Sequence, residues 1–355
     1  MSAHAQLIQS DPPPNAVLES PPATVTLIFN EPVTPAGAGL KVFSPSGKQV
    51  AAKAAARGAL LTAPITSQET GTYVVSWQIL AADTHPSRGA FSFTVGRPSA
   101  NPYATLVDSP EIGTASPLGL ALQALARFLH FAGFALVFGV AGYQVLTHRA
   151  EQPKREMQAG VILLIAAEPI ALLGQLASLS FDADTALAVL DSSFGRLLGL
   201  RLGAALLVWT LMATRRHSAL LATGAVIAIL DGASAHAIPA IAAAGQLLVA
   251  VHVGAMGLWL GGLIAFVRAP DRRYARYAAA TLSIAIASGL LLAAIHTSLG
   301  AGLLTTAYGG VVLLKVVLVG AALSAAFLRR HSPELAIALL VIAAGALVAS
   351  LPPLY

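Results

Sequence analysis

The sequence predicts a mixed fold, in which a small all-β domain is followed by an all-α membrane bundle of eight transmembrane helices. Composition is the first indication, because 10% of the 355 residues are charged and 56% are hydrophobic, whereas a soluble domain has about 25% charged residues. Polarity is also uneven along the chain, mixed up to about Arg97 and dominated by long apolar runs from Leu118 onward. The Lys and Arg residues of the second half lie in short clusters between those runs, as in multi-pass membrane proteins.

Residues 4–97 are predicted to form the β-domain because apolar and polar residues alternate in them. The alternation is seen in three runs, Thr24–Phe29, Tyr73–Ile79 and Phe91–Val95. A period of two is typical of strands that are buried on one face. Several short strands at this spacing favour a sandwich or a barrel. The Pro- and Ser-rich residues 98–117 are predicted to be a linker.

Residues 118–351 are predicted to contain the eight transmembrane helices. Each apolar segment approaches the roughly 20 residues that a helix needs to cross a bilayer. The segments are 118–147, 157–178, 196–214, 218–236, 246–267, 277–297, 309–328 and 334–351.

The basic residues of this half predict the orientation of the helices. They lie between spans one and two, three and four, five and six, and seven and eight. They are Arg149, Lys154, Arg155, Arg215, Arg216, Arg268, Arg272, Arg273, Arg276, Arg329 and Arg330. The positive-inside rule therefore places both termini and the β-domain outside, on the side of the membrane away from the cytoplasm. Because Met1 to His4 lack an apolar signal segment, we expect the numbering to begin near a processing point.

Charge and composition exclude several classes of function. The net charge of +5 does not indicate nucleic acid binding, because membrane topology accounts for the basic residues. The chain has no cysteine, so a bound metal must use His, Met, carboxylate or backbone ligands. No phosphate loop, nucleophile turn or His-Glu-x-x-His motif is present. We therefore expect a binding or transport protein rather than an enzyme.

Three residues of the β-domain, His4, Asp83 and His85, form a candidate metal site. In a strand or at its edge, residues i and i+2 point to the same side, so Asp83 and His85 can converge on one ion. Two imidazoles and a carboxylate supply the nitrogen and oxygen donors that suit Cu(II). On spacing alone, a pair of surface histidines without a metal explains these residues equally well.

Several motifs, in order along residues 4–96, resemble the CopC family of periplasmic copper-binding proteins. They are His4-Ala5-Gln6-Leu7, Ser10-Asp11-Pro12, Leu27-Ile28-Phe29-Asn30-Glu31-Pro32-Val33, Gly71-Thr72-Tyr73, Asp83-Thr84-His85-Pro86 and Gly89-Ala90-Phe91-Ser92-Phe93. The resemblance implies a Greek-key β-sandwich that binds Cu(II) through His4, Asp83 and His85. In that family the histidine begins the mature chain, so the amine of His4 ligates only if residues 1–3 are removed. The domain has no methionine beyond Met1, and we therefore expect no Met-rich Cu(I) site.

The predicted spans contain four histidines, His130, His236, His252 and His296. Ionisable residues within a membrane are costly and are usually functional or paired. By the predicted topology, His236, His252 and His296 lie near the outer ends of their helices. They are therefore candidates for one copper site together with the thioether of Met256, which lies on the same helix face as His252. The alternative is that each histidine hydrogen-bonds to a neighbouring helix.

Four further residues are candidates for a copper pathway or for support of that site. His130 lies near mid-membrane. Asp231 lies deeper than His236 in the same span, where it is suited to orient an imidazole or to relay a proton. Glu168 is predicted to pair with one of the intramembrane cations, and Lys315 is predicted to extend outward to the membrane surface.

Residues 118–351 resemble the CopD family of inner-membrane copper proteins. The matching residues are Ser234-Ala235-His236-Ala237, His252 with Trp259-Leu260-Gly261-Gly262-Leu263, and Tyr308-Gly309-Gly310 with Leu313-Leu314-Lys315. A CopC-like domain fused to a CopD-like one implies copper uptake, with capture outside, handover to the membrane domain and passage inward. The implied copper is Cu(II) in the β-domain and Cu(I) or Cu(II) in the membrane domain. The expected partners are copper ions, the lipid bilayer and periplasmic copper carriers.

Two other functions are compatible with the same residues. Transmembrane histidines on facing helices are able to ligate haem, which would make the protein a membrane copper reductase. A copper-holding protein without flux is the second alternative, and a missing set of inward-facing ligands would favour it.

Overall fold

The computed structural model describes residues 5–81, 86–107, 116–148, 154–214, 217–235, 242–297, 300, 302–328 and 331–351. Within these ranges, strands occupy the N-terminal part and helices the remainder, so the predicted mixed fold is confirmed. The strands are β1 (Leu7–Asp11), β2 (Val17–Leu18), β3 (Thr24–Phe29), β4 (Val33–Phe43), β5 (Ala55–Arg57), β6 (Leu60–Pro64), β7 (Gly71–Ala81) and β8 (Pro86–Val95).

The strands form two four-stranded sheets that enclose the core of the β-domain. One sheet has the order β1-β3-β6-β5 and the other has the order β2-β8-β7-β4. The longest pairing is the antiparallel β7–β8 ladder, which runs from Gly71 opposite Val95 to Leu80 opposite Pro86. This ladder brings the end of β7 beside the start of β8. In the sequence, these two ends flank the predicted copper ligands Asp83 and His85.

The alternating residues of the sequence supply the core between the two sheets. Val25, Leu27 and Phe29 are buried on β3, and the alternate residues of β7 and β8 are buried opposite them. Phe29 meets Trp77 across the sheets in an edge-to-face arrangement, with ring centroids 5.2 Å apart. Gly89 lies opposite Trp77 in the ladder, where an added Cβ would lie 2.5 Å from the indole ring. Glycine at this position therefore allows the indole to lie flat on β8.

A short helix between the second and third spans packs against the β-domain. This helix, α4 (Ala183–Asp191), contacts β4, and the described residues of 5–119 form one compact unit with 174–196. Asp182 caps α4 by accepting hydrogen bonds from the backbone N–H and the hydroxyl of Thr185. Hydrogen bonds from Ser180 and Thr185 lower the pKa of Asp182 to about 2. The sequence interpretation placed this segment between the second and third predicted spans and predicted no helix in it.

The second compact unit comprises the described residues of 120–173 and 197–351. The other helices are α1 (Pro117–Phe134), a π-helical stretch (Ala135–Gly139), α2 (Val140–Thr147), α3 (Lys154–Ser178), α5 (Ser193–Thr214), α6 (His217–Ala233), α7 (Ala242–Arg268), α8 (Tyr274–Thr297), α9 (Gly302–Thr305), α10 (Ala307–Phe327) and α11 (His331–Ser350).

Seven of the described helical segments are long and apolar enough to cross a bilayer. Six of them are α3, α5, α7, α8, α10 and α11, and the seventh is the continuous run from Pro117 to Thr147. The remaining predicted span, the fourth in the chain (218–236), corresponds to α6, whose apolar part, Ser218–Ala233, is shorter. At 1.5 Å per residue this part is roughly 24 Å long, less than the roughly 30 Å of a hydrocarbon core.

The first span lies at the centre of this unit. In its apolar window 61% of the residues are buried, against 11% for α5 and for α10, whose side chains therefore face the surroundings. The π-helical stretch approaches α7 closely, because Gly139 meets Gly257 and Gly261 there and a Cβ on any of the three would collide with its neighbours. Small residues at such a crossing allow two helix backbones to pack directly.

Candidate functional site

The predicted copper ligands of the β-domain, His4, Asp83 and His85, lie outside the described residues. The segments that flank them are described and are joined by a hydrogen bond. Ser87 Oγ donates to the carbonyl oxygen of Ala5 at 2.9 Å, and both residues are buried. Ala5 directly follows His4, and Ser87 follows His85 by two positions. The fold therefore links the chain segment next to His4 with the segment next to His85, although they are 82 residues apart.

Substituting Ser87 by Ala is expected to loosen this link. The buried carbonyl of Ala5 would lose its donor, which costs about 1–3 kcal/mol. Hydrogen–deuterium exchange of the full-length protein should then be faster in β1 and at the start of β8. The matched control is Ser92→Ala, on the same strand and partly exposed, where exchange should stay as in the unsubstituted protein. Equal exchange in the Ser87 and Ser92 variants would contradict this prediction.

In the second compact unit, called the membrane unit below, His252 on α7 has a hydrogen-bond partner at each ring nitrogen. Nδ1 lies 2.9 Å from the carbonyl oxygen of Ala285 and 3.1 Å from the hydroxyl of Ser288. Nε2 lies 3.1 Å from Nζ of Lys315. Because an ammonium group only donates, Nε2 accepts this hydrogen bond and Nδ1 carries the ring proton. Gly289 leaves room for the ring, since a Cβ there would lie 2.8 Å from Cε1.

Lys315 has a partner that the sequence interpretation did not predict. Its ammonium group lies 3.1 Å from Nε2 of His252. The lone pair on Nε2 gives the ammonium an acceptor within the bundle. Lys315 is therefore a direct partner of a predicted copper ligand.

The other predicted membrane ligands are placed as follows. His236 lies outside the described residues. His296 is buried near the end of α8, where Nδ1 bonds to the carbonyl oxygen of Leu292 at 2.8 Å and the ring approaches Tyr308. Met256 is partly buried, one helical turn after His252, and packs against the core. Among the described residues, no group of three or more His, Asp or Glu is arranged to hold a metal ion.

A second polar cluster forms around His130, on α1. Its Nε2 lies 3.1 Å from Asp231 of α6, and its Nδ1 lies 3.4 Å from Oε1 of Glu168 of α3. All three side chains are more than nine-tenths buried. The guanidinium group of Arg201, on α5, contacts Asp231 at 2.8 Å and also bonds to Ser234. Residues from four helices thus meet within the apolar bundle.

The cluster differs in part from the sequence interpretation. Asp231 was expected to orient an imidazole, and the imidazole that it contacts is that of His130 on another helix. Glu168 was expected to pair with a cation such as Arg201, but its described contact is with His130, and Arg201 pairs with Asp231. The sequence signal was present in each case, because every one of these residues is an ionisable group within an apolar span. Helical periodicity does not specify which spans are neighbours.

Several known proteins are similar to the β-domain. Residues 7–96 match the CopC domain family. "Copper resistance protein C" of Xanthomonas campestris pv. juglandis is 39% identical over 103 residues, which are 26% of this chain and 80% of that protein. The crystal structure of CopC from Methylosinus trichosporium OB3b is 29% identical and covers 28% of this chain and 100% of that one, with a TM-score of 0.25.

A further relative extends beyond the β-domain. "Copper transport protein CutJ" of Bacillus subtilis is 28% identical over 183 residues, which are 49% of this chain and 32% of that protein. The matched stretch is longer than the β-domain and linker together, so part of it falls among the membrane helices. Most of the length of CutJ has no counterpart in the match. Through residues 7–96, this chain belongs to the CopC domain family.

Proposed function

We propose that this protein acquires copper, with Cu(II) captured by the β-domain and passed to the membrane domain for import. The observation that carries the capture step is the buried hydrogen bond from Ser87 to Ala5. It ties together the two segments that carry His4 and the Asp83–His85 pair, which are the proposed ligands. Membership of the CopC domain family supports the same assignment, since the relatives are named for copper resistance and copper transport.

The proposed transfer step uses His236, His252, His296 and Met256 as ligands in a CopD-like membrane domain. His252 is prepared for this role, because its Nδ1 is anchored to Ala285 and its Nε2 carries the lone pair that a metal requires. The ammonium group of Lys315 donates a hydrogen bond to that lone pair. A copper ion at Nε2 therefore takes the place of the ammonium, and Lys315 must withdraw as copper enters.

The proposed location is a bacterial inner membrane, with the β-domain and both termini in the periplasm. The distribution of Lys and Arg supports it. The contact of α4 with β4 agrees with it, because the basic clusters assign both the β-domain and the segment that carries α4 to the outer side. A copper ion is thus proposed to enter from the periplasm, delivered free or by a periplasmic carrier.

The geometry does not favour haem ligation by His130. This histidine has a carboxylate beside each ring nitrogen. An axial haem ligand needs one free imidazole nitrogen. We therefore propose a binding and transport protein rather than a copper reductase or another enzyme.

Copper accumulation by cells that produce the full-length protein tests this function. Substituting both His236 and His252 by Ala is expected to lower accumulation by at least about tenfold, because losing metal ligands weakens binding at least as much as losing their supporting groups. Protein level in the membrane must be unchanged. The His252→Ala change leaves the Lys315 ammonium without its acceptor. A second variant, His252→Gln, therefore keeps an acceptor for it.

The matched control is His148→Ala, an exposed histidine at the end of α2. Accumulation in this control should equal that of the unsubstituted protein. Normal accumulation in the His236/His252 double variant would remove the proposed membrane site. Copper that stays bound to the protein without entering the cell would instead favour a copper-holding function.

A further inference from the structure

The His130 cluster has a feature that copper transfer does not require, because an imidazole ring lies between two carboxyl groups. Asp231 is beside Nε2 at 3.1 Å, and Glu168 is beside Nδ1 at 3.4 Å. The three residues are 6%, 6% and 3% exposed for His130, Asp231 and Glu168 respectively, so bulk water does not screen them. A neutral imidazole has only one N–H and cannot donate to both neighbours.

This arrangement needs one more proton than a neutral imidazole and two carboxylates supply. Without it, a ring lone pair would face a carboxylate oxygen inside an apolar bundle, which is strongly unfavourable. The extra proton is held either by the ring, as an imidazolium flanked by two carboxylates, or by one carboxyl group, which then donates to the neutral ring. The cluster is therefore stable when it has one proton bound.

Arg201 decides which side of the ring holds this proton. Its guanidinium group lies 2.8 Å from Oδ1 of Asp231, so Asp231 has a permanent cation beside it and is held as a carboxylate. The Nε2–H of His130 then donates to Asp231, which sets the ring tautomer. Nδ1 is left facing Oε1 of Glu168, and it makes no well-aligned hydrogen bond there. The exchangeable proton is thus shared between Nδ1 of His130 and Glu168.

The surrounding charges allow this proton both to bind and to leave. With the proton bound, the set of Glu168, His130, Asp231 and Arg201 is electrically neutral, and without it the set carries one negative charge. Arg127 lies three residues before His130 on α1 and hence on the same face of that helix. Its guanidinium bonds to the carbonyl oxygen of Ala349, near the C-terminal end of α11. This additional cation lowers the electrostatic free energy of the cluster when its exchangeable proton is absent.

The backbone is irregular on both helices that carry the shared proton. The π-helical stretch Ala135–Gly139 begins five residues after His130, and π-helical segments are frequent at functional sites. Pro169 lies inside α3 directly after Glu168 and removes one helical hydrogen bond. Both helices therefore depart from regular α-helical hydrogen bonding close to the residues that share the proton.

We infer that Glu168 and His130 form a proton-binding site within the membrane domain, with Asp231 and Arg201 as positioning residues. The transfer step moves one proton from Oε1 of Glu168 to Nδ1 of His130, which converts a neutral pair into a carboxylate and an imidazolium. The site would couple copper movement to proton movement in the opposite direction, since both ions carry positive charge. This coupling rests on the proposed copper transport, whereas proton binding does not.

Infrared difference spectroscopy of the full-length protein in lipid bilayers, between about pH 4 and 9, tests proton binding directly. One titration should change carboxyl and imidazole bands together. Either Glu168→Gln or His130→Gln should remove both sets of bands, because the proton is shared. A purely structural cluster would lose only the bands of the substituted residue, and that result would overturn the inference. Glu156→Gln, on the same helix but paired with Arg268, is the matched control and should leave the titration intact.

Reconstituted vesicles with a pH-sensitive dye inside test the coupling. Copper entry should be accompanied by loss of protons from the vesicle, and its rate should change by up to about tenfold per pH unit, as expected for one linked proton. Glu168→Gln should abolish both the proton signal and the pH dependence. Copper entry without proton movement would overturn the coupling and leave the transport function in place. Absence of copper entry would overturn the transport function, while the infrared titration still decides whether the proton site exists.

Discussion

Substituting His85 by Ala is expected to lower the affinity of the full-length protein for Cu(II) by at least about 100-fold. His85 is one of two proposed imidazole ligands, and even supporting groups of a metal ligand contribute about 10- to 100-fold. The remaining ligands, His4 and Asp83, leave the ion with fewer of the nitrogen donors that Cu(II) prefers. Electron paramagnetic resonance of bound Cu(II), with a competing chelator to set the free concentration, measures both the coordination and the affinity.

Two controls separate ligand loss from damage to the fold. His148→Ala removes an exposed histidine of the membrane half and should leave the Cu(II) spectrum unchanged. Ser87→Ala removes only the link to Ala5, so the spectrum should persist with a weaker affinity. If His85→Ala binds Cu(II) with the same spectrum and affinity as the unsubstituted protein, the proposed capture site is wrong.

Substituting Asp231 by Ala is expected to destabilise the helical bundle by several kcal/mol. Asp231 is the partner of both Arg201 and His130, and its removal leaves a buried guanidinium without its counter-charge. Breaking a buried ion pair on one side costs about 3–5 kcal/mol. Thermal unfolding of the full-length protein in detergent, and its level in the membrane, should both report this loss.

A double substitution distinguishes the loss of the ion pair from a general defect. Removing both partners, with Asp231→Ala and Arg201→Met, leaves no unpaired charge and should destabilise the protein less than the sum of the single changes. Asp184→Ala is the matched control, because Asp184 is exposed in the first turn of α4 and should matter little. If the Asp231→Ala variant unfolds at the same temperature as the unsubstituted protein, the ion pair does not stabilise the bundle.

The sequence by itself determined the two fold classes and most of the element positions. Alternation in Thr24–Phe29 and Tyr73–Ile79 identified the buried faces of β3 and β7, because a strand with one buried face must repeat every two residues. Apolar length identified the membrane helices within a few residues, because the bilayer sets how long such a helix must be. The ordered motifs from His4 to Phe93 also led to the CopC family, which the comparisons confirm.

Only the tertiary structure decided which polar residues meet. That Glu168 and Asp231 flank His130, and that Lys315 faces His252, depends on which helices are neighbours. Helical periodicity describes one helix at a time and carries no information about its partner. The same limit applies to α4, because its contact with β4 joins segments that are at least 140 residues apart. Packing of the whole chain determines which distant segments pair. Alternation and apolar length are local properties that can be read directly from the sequence.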